Sequence, residues 1–192
     1  MVLGRLFSKK WLFLTNTITS GGLLAIGDGL QQSIERKSAI SNKYDWARTG
    51  RMFLVGLACG PPHHYWYVWL DKVLKPHQVW KKILADQLIA APFFAAFFFY
   101  GMGSLENKTP AEVTTEFRSK FPTVYAFDWF FWPPIQYVNF HYVPSRFRVL
   151  YVNGATVVWD VFLSYMKHHD QVMKNLQKHQ ADEGRIKLKY ST

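Results

Sequence analysis

Five long stretches of the chain carry almost no charged residue, and they restrict its fold more than any other feature. Residues 52–70 and 87–105 each run for 19 positions without Asp, Glu, Lys or Arg. The other stretches are residues 11–27, continuing to Ile34 with only Asp28 charged, residues 129–145, and residues 149–166 with only Asp160 charged. A helix needs roughly 17–25 mostly apolar residues to cross the hydrocarbon core of a bilayer. The pattern predicts an all-α polytopic membrane helical bundle with four to five transmembrane helices.

The charged residues lie between these stretches and make the chain strongly basic. Its 23 Lys and Arg against 13 Asp and Glu give a formal net charge of +10. The 18% of aromatic residues excludes a disordered chain, and Cys59, the single cysteine, excludes a disulfide scaffold. Several Trp and Tyr lie near the ends of the stretches, as is typical of membrane interfaces. A soluble bundle with long buried helices is the alternative.

One connecting segment has the pattern of a helix on the membrane surface. Residues 109–112 read Thr-Pro-Ala-Glu, which is typical of a helix start with a capping box and Pro in the first turn. Val113, Phe117 and Phe121 then repeat on one face. We therefore expect one amphipathic surface helix before the fourth span.

The two ends of the chain differ from its centre in charge. We expect a basic N-terminal segment at residues 1–10, a single transmembrane bundle domain at residues 11–168, and a basic C-terminal tail at residues 169–192. No acid precedes Asp28, whereas Arg5, Lys9 and Lys10 alternate with apolar residues. Such a start is typical of mitochondrial import, with an ordinary positive flank of a membrane helix as the alternative. The loop charges leave the orientation in the membrane open.

Acidic residues inside or beside the predicted spans are the main candidates for function. Asp28, Asp86, Asp128 and Asp160 should face the bundle interior, because a charge facing lipid is costly. On α-helical spacing Asp28, Gln31, Gln32 and Glu35 form one stripe, and Asp160 and Ser164 share another. The candidate intramembrane polar and pairing residues are Asp28, Gln31, Gln32, Arg48, Arg51, Asp86, Asp128, Gln136, Asn139, Arg146, Arg148 and Asp160. Either the acids pair with Arg and hold the helices in register, or they line a pore or a proton path.

Glycine and alanine recur at intervals of four within the spans. Gly21, Ala25 and Gly29 form one such series, and Gly56 and Gly60 form another. Small residues at this spacing let two helix backbones approach closely. We expect packing faces within the bundle here.

The motifs of catalysis and cofactor binding do not occur in the sequence. There is no phosphate-binding glycine loop, no Gly-x-Ser-x-Gly elbow and no His-Glu-x-x-His. His63 and His64 are adjacent, so on a helix they point apart and cannot share a metal ion. His168, His169 and Asp170 lack further ligands for zinc. We therefore expect no enzymatic activity, no cofactor and no metal site.

Basic residues at the C-terminal end of the chain are candidates for contact with RNA or anionic lipid. They are Lys167, Lys174, Lys178, Arg185, Lys187 and Lys189. A solvated flank is the alternative interpretation.

The second half of the chain also carries a motif that is specific as a combination. It consists of Trp129, Trp132, Pro133, Asn139, Phe140, Pro144 and Trp159. Further matches are Gly27-Asp28 with Gln31-Gln32, Gly60-Pro61 with residues 64–67, and Asp86-Gln87 with Pro92. On these motifs the chain resembles the Mpv-type family of small peroxisomal and mitochondrial membrane proteins, over roughly residues 15–167. Within it, residues 15–17, 27–29, 64–67 and 159–160 are most similar to the like-protein-two branch.

The resemblance implies a location and a function. It implies an integral protein of the mitochondrial inner membrane, with the peroxisomal membrane as the alternative location. It further implies a role in assembly and stability of the mitochondrial ribosome, and hence in mitochondrial translation. The implied partners are the large ribosomal subunit, through protein or rRNA, and the lipid bilayer, with no contact to DNA and with homo-oligomerisation left open. The alternative functions are a channel or metabolite carrier lined by the intramembrane acids, and an inner-membrane scaffold. Family members often have Asn at the position of Asp160, and this departure argues against transferring channel behaviour.

Overall fold

The computed structural model describes residues 12–38, 43–75, 77–143 and 148–190, and these residues form five long helices without a strand. The helices are α1 (Leu12–Lys37), α2 (Trp46–Val73), α3 (Val79–Leu105), α4 (Pro110–His141) and α5 (Arg148–Tyr190). Each helix contains or overlaps one of the five charge-poor stretches, so the all-α prediction is confirmed. The basic N-terminal segment, residues 1–10, lies outside the described residues.

The helices run alternately up and down and close into a ring. α1 packs on α2, α2 on α3, α3 on α4, α4 on α5, and α5 returns to α1. All five helices contribute to one apolar core. Its centre is filled by Met52 of α2 and by Phe99 and Met102 of α3, each 0% exposed. The middle of the ring is therefore packed with side chains.

In a soluble bundle charged side chains face outward and large apolar ones are buried, whereas here many large apolar side chains face outward and several charged ones are buried. Large apolar residues are exposed along every helix, and Phe130 of α4 is 75% exposed. Asp28, Glu35 and Arg48, in contrast, are buried. Because hydrocarbon solvates apolar groups and excludes charges, this distribution is typical of a bundle surrounded by lipid.

By length and composition, one described helix, Val79–Leu105, is apolar enough to cross a membrane. Residues 52–70 of α2 carry no charge either, but their Pro, His, Tyr and Trp side chains lower the mean hydropathy. The count of four to five transmembrane helices stays a prediction.

The segment expected to form a separate surface helix is instead the start of α4. The capping box is present, since Thr109 accepts from the backbone of Glu112 while the Glu112 carboxylate accepts from the backbone of Thr109. The helix then continues through Pro122 to His141 without a break. The prediction of a separate helix was wrong because the inner face of this segment packs into the bundle, where Val113 is buried against Gly103.

α1 and α2 approach each other closely through glycine, as the spacing predicts. A Cβ atom at Gly56 would lie 2.6 Å from the backbone oxygen of Ser20 and 2.7 Å from the Cα of Gly21. A Cβ atom at Gly60 would lie 2.5 Å from the Cα of Thr17. No larger residue fits at these positions without separating the helices.

α3 contains a π-helical turn at Asp86–Ala90, just before Pro92. Proline has no backbone N–H to donate to the carbonyl four residues earlier, and the wider turn accommodates this missing bond. The turn directs Asp86 toward α2 and Gln87 toward α4.

α5 extends well beyond the other helices. Its last described ion pair with the bundle joins Asp170 to Lys120 of α4. The helix continues from there to Tyr190, about 30 Å further at 1.5 Å per residue. The expected boundary between bundle and tail at residues 168–169 therefore falls inside a continuous helix. The extension leaves the bundle at one end, which we call the tail end. α1 and α3 also end there, and α2 and α4 begin there.

Candidate functional site

Six polar side chains from three helices form a buried cluster toward the tail end, the inner cluster. Its members are Asp28, Gln32, Glu35, Arg48, Thr49 and Ser164. Asp28, Gln32 and Glu35 lie on one face of α1 because their spacing matches the helical repeat. This face points toward the first turn of α2 and the middle of α5.

Arg48 is the cation of the inner cluster, and its guanidinium contacts two acids. Its Nε donates to Asp28 Oδ1 over 2.7 Å, and its Nη1 donates to Glu35 Oε2 over 2.8 Å. Its Nη2 donates to Glu35 Oε1 over 3.1 Å and to Ser164 Oγ over 2.8 Å. One side chain of α2 thus holds α1 and α5 together.

Asp28 is completely buried, and both of its carboxylate oxygens accept hydrogen bonds. Oδ1 accepts from Arg48 and from Ser164 Oγ, the latter over 2.6 Å. Oδ2 accepts from Thr49 Oγ1 over 2.6 Å and from Gln32 Nε2 over 2.8 Å. A carboxylate with every oxygen engaged compensates its desolvation and presents no free oxygen to a permeating ion.

The inner cluster also fixes the turn between α1 and α2. Gln32 Oε1 accepts from the backbone nitrogen of Asp45 over 2.7 Å, and Gln32 Nε2 donates to the Asp45 carbonyl over 3.0 Å. The side chain of Asp45 caps α2 by accepting from the backbone nitrogen of Arg48. The same turn therefore positions Arg48 for its two acids.

A second charged group, the loop cluster, joins the α3–α4 connection to α5. Its members are Glu106, Lys108, Glu116, Lys120, Lys167 and His168. The side chain of Lys167 is 0% exposed, and its Nζ lies 2.9 Å from Glu116 Oε2 and 3.2 Å from Glu106 Oε2. Lys120 Nζ donates to the backbone carbonyl of Lys167 over 3.0 Å. These contacts hold α5 at the level where its extension begins.

The electrostatics of the loop cluster favour ionised glutamates. Burial would raise the pKa of Glu106, but contacts with His168 and Lys108 and the charge of Lys167 hold that pKa well below its ordinary value. Burial would also raise the pKa of Glu116, but Lys108 and Lys167 lower that pKa below its ordinary value. Burial lowers the pKa of Lys167, although Glu106 and Glu116 act to raise it. Burial also lowers the pKa of His168. At neutral pH the two glutamates are charged and His168 is neutral.

The remaining intramembrane acids are placed differently. Asp86 Oδ1 accepts from Trp66 Nε1 over 2.6 Å. Asp128 and Asp160 are buried, and the Oδ2 of each has no hydrogen-bond partner among the described residues. Asp160 lies directly against Gly27, where any Cβ atom would collide with it.

Among the other predicted pairing residues, Gln31 and Asn139 are buried, Arg51 is partly exposed, and the side chains of two lie outside the described part. Gln31 donates to Glu35 over 3.2 Å, and Asn139 donates to Gln136 over 3.4 Å. Arg51 lies 3.8 Å from Asp45 and is 28% exposed. Arg146 and the side chain of Arg148 lie outside the described residues.

The family motif is an aromatic contact between α4 and α5. The rings of Trp132 and Trp159 lie 5.9 Å apart, and Asn139 is buried. Trp129 is half-exposed, and Pro133 lies within α4 without ending it. Pro144 and the side chain of Phe140 lie outside the described residues.

One predicted surface contact was wrong. Lys167 was a candidate for contact with a ribosome, RNA or lipid, but it is buried because Glu106 and Glu116 enclose its ammonium group. Lys174 is exposed, as that prediction requires. The side chains of Lys178, Arg185, Lys187 and Lys189 lie outside the described residues.

Sequence reasoning missed most of the loop cluster. Glu106, Glu116 and Lys120 lie in connecting segments, where charges are normally solvated. A signal was nevertheless present, because Glu116 and Lys120 are four residues apart on the same helical face as the apolar Val113. His63 and His64 do point apart, His63 stacking on Phe94 and His64 lying against Phe13. Within the described ranges no three potential ligands converge on a metal position.

The chain is similar in sequence to several proteins named for membranes or for a membrane-protein family. The chain is 37% identical to PXMP2/4 family protein 4 of Dictyostelium discoideum over 162 residues, covering 82% of this chain and 87% of that protein. It is 33% identical to peroxisomal membrane protein 2 of Bos taurus over 159 residues, covering 79% and 81%. It is 30% identical to the mitochondrial inner membrane protein Mpv17 of Danio rerio over 152 residues, covering 77% and 85%. No solved structure matches.

The relatives are named for both membranes that the sequence indicated, the mitochondrial inner membrane and the peroxisomal membrane. Residues 103–164 match the sequence profile of the Mpv17 / PMP22 family, and they include the aromatic motif and most of the loop cluster. The chain belongs to the Mpv17 / PMP22 family.

Proposed function

We propose that this protein is a membrane anchor of the mitochondrial inner membrane that binds the mitochondrial ribosome and supports assembly and stability of its large subunit. Binding occurs at the tail end through basic residues of α5, and the protein thereby supports mitochondrial translation. The like-protein-two resemblance motivates the choice of partner. The geometry supports a docking function, since the bundle holds one long helix firmly and leaves its last turns beyond the other four.

The observation that carries the proposal is the continuity of α5 through the loop cluster. Lys167 is buried between Glu106 and Glu116, and Asp170 pairs with Lys120. The last twenty residues of the helix leave the bundle directly after these contacts. A helical extension fixed at its base holds its basic residues at a defined distance from the membrane.

The chemistry of the extension suits a polyanionic partner such as rRNA. After Lys167 the sequence carries Lys174, Lys178, Arg185, Lys187 and Lys189 against three acids. Lysine and arginine bind phosphates by displacing condensed counterions, so such binding weakens as the salt concentration rises. Contact with rRNA should therefore be strongly salt-dependent.

The test is co-sedimentation of the full-length, detergent-solubilised protein with purified mitochondrial large-subunit particles. We expect the protein to move with the particles at low salt and to dissociate as salt is added. The triple variant R185Q/K187Q/K189Q should reduce the slope of log affinity against log salt by roughly 2–3. The matched control is K72Q/K75Q/K81Q, which removes the same charge at the opposite end of the bundle. The proposal is wrong if the unmodified protein stays at the top of the gradient at low salt, or if both triple variants behave alike.

A channel or carrier is the second candidate function. The observation that favours it is that Oδ2 of Asp128 and Oδ2 of Asp160 have no hydrogen-bond partner among the described residues. Purified protein in planar bilayers would then conduct, and Asp128→Asn and Asp160→Asn would change its ion selectivity. Asp28→Asn serves as the comparison, because every oxygen of Asp28 is already bonded. Absence of conductance, or conductance indifferent to all three changes, removes this candidate. Cross-linking that recovers membrane proteins without ribosomal ones would instead favour a scaffold.

A further inference from the structure

An apolar groove lies on the outer face of the bundle, at the end opposite to the tail end. It separates the last turn of α2 from the first turns of α3 and has a volume of about 390 Å³. Its lining residues are Trp69, Leu70, Val73, Leu74, Lys81, Leu84, Ala85, Leu88 and Ile89. Eight of these nine residues are apolar, and the volume lies in the range of small-molecule sites.

The connection beside this groove is strongly basic. Residues 72–82 contain four lysines and no acid, and the segment stays positive when the flanking Asp71 and Asp86 are included. Lys72, Lys75 and Lys81 are exposed, and Lys81 itself lines the groove. The turn is held by Gln78, whose Oε1 accepts from the backbone nitrogen of Lys75 over 2.9 Å. The cationic groups are therefore carried by an ordered turn.

Aromatic residues place this turn at the level of a membrane interface. Trp80 is 61% exposed, and its ring lies 5.8 Å from that of Tyr137 at the end of α4. Trp69 and Tyr142 are exposed at the same end. Trp and Tyr with one apolar and one polar side concentrate where the acyl chains meet the headgroups.

The groove and the turn together specify an amphipathic ligand. The exposed Leu84, Leu88 and Ile89 connect the groove to the apolar outer surface, so an acyl chain can enter from the bilayer without crossing polar groups. Lys81 lines the groove, and the exposed Lys72 and Lys75 belong to the same basic connection, so these cations favour a ligand with a negative charge at its other end. Basic clusters between helices at the membrane surface recognise anionic lipid headgroups in this way.

We propose that this groove is a binding site for an anionic phospholipid, with an acyl chain along Leu84 and Leu88 and the phosphate against Lys72, Lys75 and Lys81. The site lies at the end opposite to the basic extension of α5 and is independent of ribosome binding. It distinguishes the lipid by headgroup charge, since the apolar part of the groove accepts any acyl chain.

The test uses full-length protein in a neutral detergent with dioleoyl phosphatidylglycerol or dioleoyl phosphatidylcholine added. Thermal unfolding and native mass spectrometry report stabilisation and bound lipid. We expect the anionic lipid to bind and to raise the unfolding midpoint, and the zwitterionic lipid to have little effect. The variant K72Q/K75Q/K81Q should weaken binding on the order of 100-fold, because each lysine lost near the membrane surface costs about fivefold in affinity. The matched control is R36Q/K37Q/R118Q, which removes three exposed cations near the tail end and should bind the lipid as the unmodified protein does.

A second variant tests the apolar part of the site. Ala85→Phe fills the groove and should abolish saturable lipid binding while leaving the lysines in place. Its unfolding midpoint without lipid shows whether it folds; if it does not fold, the headgroup variants decide. The proposal is overturned if the two lipids bind equally or if both triple variants lose binding equally. It is also overturned if a folded Ala85→Phe protein binds the lipid unaltered. Competition by inorganic phosphate at equal potency would likewise overturn it, since the site would then recognise a free anion.

Discussion

Arg48 and Asp28 are 20 positions apart in the chain, yet Arg48 Nε lies 2.7 Å from Asp28 Oδ1 in a space from which solvent is excluded. Glu35 and Ser164 complete the contacts of the same guanidinium. The pair joins α1 to α2, and Ser164 extends the connection to α5. We infer that the pair fixes the arrangement of these helices, since every partner of the buried charge is present.

Replacing Arg48 with alanine should destabilise the protein by about 3–5 kcal/mol, because Asp28 and Glu35 would remain buried without a cation. Chemical unfolding in a mild detergent, followed by tryptophan fluorescence, measures the free energy of unfolding. Arg51→Ala is the control: that side chain is 28% exposed and 3.8 Å from Asp45, so its loss should cost less than about 1 kcal/mol. Equal losses in the two variants would contradict the assignment of Arg48 to a buried cluster.

Gly56→Ala should destabilise the protein by about 1–3 kcal/mol, since its methyl group would meet the backbone of α1. Gly50→Ala in the same helix meets nothing within 4 Å. It should be neutral or stabilising by about 0.5–1 kcal/mol, because alanine favours a helix over glycine. Thermal unfolding of both variants in one detergent checks the pair, and the reverse order would refute the close approach of α1 and α2.

Lys167→Ala should reduce the free energy of unfolding by about 3–5 kcal/mol, since Glu106 and Glu116 would lose a buried cation. Lys174→Ala, at an exposed position seven residues later, should change it by no more than about 0.5 kcal/mol. The two variants separate a structural lysine from a surface lysine of the same helix. Comparable stability of both would show that Lys167 is not enclosed as described.

Acidification should destabilise the bundle through His168, which faces Glu106, Arg48 and Asp28. Burial lowers the pKa of His168 from its ordinary value of 6.5. As the pH falls through that value, the unfolded chain binds a proton that the folded chain does not bind, so the unfolded state is favoured. The glutamates of the loop cluster also have lowered pKa values, but their contribution is lost only below their ordinary pKa of 4.5.

The measurement is the thermal unfolding midpoint at pH 7.5 and pH 5.5. We expect the midpoint to be lower at pH 5.5 and expect His168→Gln to reduce that difference. His169→Gln, the half-buried neighbour, is the control and should leave the difference unchanged. If His168→Gln keeps the full pH dependence, the buried neutral imidazole is not its source.

Much of the architecture followed from the sequence for simple physical reasons. The charge-poor stretches of sequence indicated where the five helices lie, because a backbone surrounded by apolar side chains must satisfy its own hydrogen bonds. The spacing of Gly56 and Gly60 identified a close-packed face, and the spacing of Asp28, Gln32 and Glu35 identified a polar one. These features are local, since a helical repeat depends only on neighbouring residues.

Only the tertiary structure decided which charges belong together. Arg48 could have paired with any of several acids, and it contacts Asp28 and Glu35 because the turn at Asp45 directs it toward α1. Lys167 had the sequence context of a surface lysine, and Glu116 that of a surface helix. Both are inside because α4 and α5 cross at that level. Pairing between distant residues depends on the order of the helices and on the rotation of each helix about its axis. The packing of the whole ring determines both, and a local sequence pattern does not encode them.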